Sequence, residues 1–140
     1  MMRLAVLHTV PAVQADLSVR LSDAGFADVV HVCDPTLLAD LLVGGDANAV
    51  AVRVADHVRA LSASSDLVVV SCSTLTPAVR RARGDADVPV IAVDEPLAGV
   101  AVRAGKRIGV VCTAETTVDS STALLEDAAH LAVEVLGENE

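Results

Sequence analysis

The chain has one phenylalanine, no tryptophan and no tryptophan-like substitute in the form of a tyrosine cluster: across 140 residues, Trp and Tyr are both absent. A nucleic-acid reader that stacks bases on aromatic rings is thereby excluded, and a formal net charge of -9 opposes any phosphate backbone. No stretch approaches the ~18 unbroken apolar residues of a membrane span, so no membrane partner is expected. The three cysteines, Cys33, Cys72 and Cys112, are odd in number and far apart. They match neither a disulfide framework nor a zinc pattern, so no metal is expected. Reduced thiols and a cytoplasmic location are the expectation. The opening "MMRLAVLHTVP" lacks a small-residue cleavage site and reads as a first strand rather than a signal peptide.

What is present is small and aliphatic. Valine-rich runs at 3–8, 28–33, 66–72, 89–94 and 107–112 each suit a strand buried on both faces. Between them, "PAVQADLSVRLSDAG" and "NAVAVRVADHVRALSA" repeat apolar residues at helical spacing. The alternation predicts an α/β fold: an open parallel sheet with helices on both faces. Prolines at 11, 35, 77 and 96 follow strand ends closely, and Asp34, Thr76 and Glu95 precede three of them as expected helix caps, with Asp94 sharing the role of Glu95. Thr116 and Asp119 have the spacing of a capping box before "TALLEDAAHL". "LAVEVLGENE" admits a closing edge strand or a continued helix.

Ligands of open parallel sheets bind outside the carboxyl ends of the strands. Cys72 stands there in "VVVSCSTLTP", followed by Ser73 and Thr74 and by the helix opening at Thr76 and Pro77. Peptide N–H groups at a helix start favour a thiolate, and adjacent hydroxyls can bond a carboxylate. A buried packing cysteine is the competing reading. Other thiol chemistries fail on spacing. A phosphate-cradling loop needs Arg six positions on, where Ala78 stands, and a dithiol site needs Cys at Leu75. The stretch "LHTVPAV" has no glycines for a phosphate loop, and Ser71-Cys72-Ser73 replaces the Asp of a phosphoacceptor. His8 reads as a hydrogen-bonded edge histidine, His31 and His57 as structural.

"LAVLHTVPAV", "VVVSCSTLTPAVRRAR" and "VPVIAVDEPLAGVAVRAGKRIGVVCTAETTVDSSTALLEDAA", in that order, resemble the aspartate/glutamate/hydantoin racemase superfamily. The resemblance implies a flavodoxin-like lobe over 1–95, carrying Cys72, and a crossover helix with the start of a second lobe over 96–140. It implies cofactor-independent chemistry in which one thiol removes an α-proton and an opposite thiol returns one. It assigns Cys72 as the catalytic thiol and Thr9, Val10, Ser73, Thr74, Thr116 and Thr117 as substrate contacts. The substrate class is a small amino acid, hydantoin or related carboxylate, with a homo-oligomer compatible. The family's second cysteine falls past Glu140, so the chain is expected to supply one flank of an inversion and not to racemize alone. Cys112 reads as packing, and Cys33 would approach from the same lobe as Cys72. The alternatives are a non-catalytic carboxylate-binding or assembly module and a decarboxylase or isomerase variant.

Overall fold

The computed structural model describes the backbone of residues 1–137 and side chains through Leu131. Four strands form one parallel sheet: β1 (Leu4–His8), β2 (Val29–Cys33), β3 (Leu67–Val70) and β4 (Val90–Ala92). Their order across the sheet is β2-β1-β3-β4. The helices are α1 (Pro11–Asp23), α2 (Pro35–Leu42), α3 (Ala47–Ser62), α4 (Thr76–Ala82), α5 (Glu95–Ala104) and α6 (Val118–Gly137).

Side chains alternate across a strand, so each strand divides its valines between two faces. Ala5, Leu7, Val68, Val70, Val90 and Ala92 point to one face, where they form the main core. Leu37 of α2, Val50, Val54 and Val58 of α3, and Val79 of α4 close that core. Leu4, Val6 and His8 are buried on the other face. Crossovers between parallel strands are right-handed. Because β2 and β3 lie on opposite sides of β1, α1 and α3 must pass over opposite faces. The step from β3 to β4 runs the same way as the step from β2 to β3, which puts α4 beside α3. Helices therefore cover both faces, as the sequence predicts, although α1 contributes no buried residue.

The expected fifth strand does not form among the described residues. Arg107–Cys112 is irregular, and Lys106–Thr113 makes no main-chain hydrogen bond to another described residue. Val111 is 96% exposed. Valine content gives a segment strand propensity, but a ladder needs a neighbour in register, and this stretch lies against α5 and α6 instead. The capping box also fails. Thr117 Oγ1 donates to the Ala114 carbonyl at 2.7 Å, and α6 begins at Val118. The helical alternative for "LAVEVLGENE" holds through Gly137, and 138–140 lie outside the described residues. Among the described residues no helix is long and apolar enough to cross a membrane.

Candidate functional site

The strand order reverses at β1 and β3. The chain leaves β1 toward β2 on one side, and leaves β3 toward β4 on the other. The crevice outside such a reversal is where open parallel sheets take ligands, because the two departing loops diverge there. Thr9 and Val10 follow β1, and Cys72, Ser73 and Thr74 follow β3. The register pairs Leu7 with Val70, and the Ser71 N–H donates to the Leu7 carbonyl at 3.0 Å. The ladder ends there, and Thr9 and Cys72 are the next residues but one after the last paired positions of the two adjacent strands.

Cys72 is half-buried, and its side chain packs against the main core. Its backbone is extended, and it opens the short 3-10 turn Ser73–Leu75 that leads into α4. Thr9 is 4% exposed, and its hydroxyl is buried without a hydrogen-bond partner. Thr74 Oγ1 lies 3.4 Å from Thr116 Oγ1, which joins the turn after β3 to the turn before α6. Those two threonines line an open groove of about 470 Å³ with Leu41, Pro77, Asp119 and Ser120. Ser73 is half-buried beside them, whereas Val10 is exposed at the start of α1. The Thr117 hydroxyl is engaged locally with Ala114. So Thr9, Cys72, Ser73 and Thr74 follow the ends of β1 and β3 on one sheet edge, Thr116 joins them through Thr74, and Thr9, Val10, Cys72, Ser73 and Thr117 do not line that groove.

Beside this edge runs a polar chain on the opposite sheet face. Ser71 Oγ and His8 Nδ1 are 2.7 Å apart, and His8 Nε2 and His31 Nδ1 are 2.9 Å apart. The two rings stack with centroids 5.2 Å apart. Burial, and then the neighbouring His31, lower the His8 pKa to about 4. His8 is thus a neutral, fully buried group that pins the end of β1 to β2 and β3. Its link to His31 could be found from sequence only once β1 and β2 are paired, since Val6 opposes His31 and His8 lies on the same face.

Of the four expected cap residues, one caps as expected and three do not. Asp34 caps α2 as expected, accepting from the Thr36 N–H at 3.0 Å. It also faces His57 Nε2 at 2.9 Å, and the Thr36 hydroxyl, then His57, holds its carboxyl below the usual range against the opposing effect of burial. Thr76, Asp94 and Glu95, by contrast, do not cap with their side chains. The Thr76 hydroxyl donates to Asp94 Oδ1 at 2.8 Å, and Glu95 Oε1 accepts from the Ala92 N–H at 2.8 Å and pairs with Arg83.

The Asp/Glu/Hydantoin racemase family model matches residues 5–139. The chain belongs to that family. The match covers β2 to β4, all but the first residue of β1, and the turn that carries Cys72, and the 2-1-3-4 strand order is that of a flavodoxin-like lobe. No curated protein matches the chain closely enough to add a relative.

Proposed function

We propose that this racemase-family chain transfers the α-proton of a small amino acid, hydantoin or related carboxylate through the Cys72 thiol, without a cofactor. The observation that carries the reading is the position of Cys72 at the β1/β3 reversal, two residues before Thr74, whose hydroxyl meets Thr116. The thiolate takes the proton from Cα, leaving the electron pair delocalised into the adjacent carbonyl or carboxylate. Negative charge growing on those oxygens needs donors already in place. The unpartnered Thr9 hydroxyl, with those of Ser73, Thr74 and Thr116, is suited to that task. Val10 and Thr117 complete the proposed contacts from the rim.

Inversion requires a second proton carrier on the opposite face of the same carbon. Cys33 ends β2, two strand spacings or about 10 Å from the end of β3 on the same sheet edge, so it approaches from the same side. We therefore assign this chain one flank of the inversion, with 1–95 as the proton-transferring lobe and 96–140 as the opening of a second. A lone base still exchanges: returning a solvent-derived proton from the same face restores the substrate with its hydrogen replaced.

Incubation of single-enantiomer amino acids and hydantoins with the protein in D2O tests this. At least one should gain deuterium at Cα with retained configuration. A full panel without exchange would overturn the proposal. The packing of Cys72 against core aliphatics favours a second reading, a carboxylate-binding module with no chemistry. Thermal stabilisation by carboxylates that persists in Cys72→Ala, with no exchange by the wild type, would select that reading.

A further inference from the structure

The stretch between α5 and the turn before α6 carries strand-forming residues but no strand. Among the described residues, the main chain of Lys106–Thr113 has no main-chain hydrogen-bond partner. The backbone is extended at both ends of it, at Gly105 (φ -177°, ψ 167°) and at Ala114 (φ -133°, ψ 136°). A segment of this kind, with unpaired peptide groups, is a template for another strand.

Exposure follows a period of two along it. Arg107, Val111, Thr113 and Glu115 are exposed, whereas Cys112 and Ala114 are half-buried, and Ile108 and Val110 are far less exposed than Val111. One face therefore leans on the protein and the other looks outward. Val111, at 96%, is the most exposed large apolar side chain among the described residues after Met1. The charges at the two ends are opposite: Lys106 and Arg107 precede the apolar stretch, and Glu115 follows it. Arg107 and Glu115 have no ion-pair partner among the described residues.

We infer that Ile108–Ala114 is a dimerisation edge, through which two copies of this chain pair antiparallel about a twofold axis at Val111. Reversed and laid beside itself, the segment sets Arg107 opposite Glu115 at each end, Gly109 opposite Thr113, and Val111 against Val111. The twofold repeats the Arg107–Glu115 pair and takes both Val111 side chains out of water. Parallel pairing in register would set Arg107 on Arg107 and Glu115 on Glu115, and like charges directly opposite are destabilising. A single short ladder falls below the ~1,200 Å² of a stable interface, so the dimer is a weak one that forms with rising concentration. The inference stands apart from any chemistry at Cys72.

The test is sedimentation equilibrium of the full chain at rising concentration under reducing conditions, with the amide NMR signals of Gly109–Thr113 followed in the same samples. A monomer–dimer equilibrium should be measurable below about 1 mM, and those amides should shift with it. Val111→Lys, at an exposed position that the fold does not need, puts like charges on the axis and should weaken the dimer at least about tenfold. Arg107→Glu and Glu115→Arg should each weaken self-association, and an equimolar mixture of the two variants should recover it, because each then meets the opposite charge on the other. A chain still monomeric at about 1 mM, a dimer that Val111→Lys leaves unchanged, or a mixture that associates no better than either variant alone would overturn the inference.

Discussion

Lowering the pH from 7.5 to 4 should destabilise the protein through His8 in particular. The ring is fully buried between Ser71 and His31. Its pKa falls from 6.5 to about 4 on folding, first because burial penalises the cation and then because His31 lies beside it. The sign follows from proton counts. Above pH 7.5 both states are neutral at this ring, and it contributes nothing to pH dependence. As pH drops through 6.5 the unfolded chain takes up a proton that the folded chain refuses, so stability declines. The decline ends near pH 4, where the folded ring is also protonated. At about 1.4 kcal/mol per pH unit, the interval between the two values corresponds to about 3 kcal/mol. Burial supplies the larger share of this, and solvent screening of the half-buried His31 makes it an upper bound. Urea unfolding at stepped pH, for wild type and His8→Gln, gives the difference in slope directly, and the His8 ring proton should titrate near pH 4 by NMR. A ring that titrates near 6.5, or parallel slopes for the two proteins, would refute the reasoning.

Leu37→Ala should cost about 2–5 kcal/mol in urea unfolding, because Leu37 is fully buried where α2 meets the main core. Asp34→Ala should cost about 1 kcal/mol through loss of the α2 cap, with more than half of that recovered by Asp34→Asn. The Asp34 carboxyl sits below its ordinary value, so the stability it supplies is present above pH 3.8 and lost as pH falls through its folded value. Acid unfolding of wild type and Asp34→Ala should therefore differ less below that point than above it. Arg80→Ala, which removes an exposed pair with Asp127, should change stability by less than about 1 kcal/mol.

Much of the sheet was legible because its signals are local. Each of β1 to β4 is a valine-rich run ended by a polar turn, and Asp34-Pro35 marks the start of α2 within two residues. The run at Arg107–Cys112 has the same local signal and is not a strand, because pairing depends on what lies beside it and sequence runs do not encode that. Thr76 misled for a related reason: its hydroxyl meets Asp94, eighteen residues on, instead of its own helix start. The edge position of Cys72 could be read from the end of its strand, but the depth of the thiol could not. Depth depends on Leu75, Val79 and the α3 valines that pack around β3. The Thr74–Thr116 approach closes a loop of more than forty residues and was reachable only through family resemblance.

Cys72 as the proton-transferring group is most directly tested by comparing Cα–deuterium incorporation into one responsive substrate by wild type and by Cys72→Ser, with the folded state of both checked by amide NMR. Loss of a positioned acid–base group should slow exchange by about 10²–10⁴-fold in the variant. Equal rates for the two proteins would contradict the assignment.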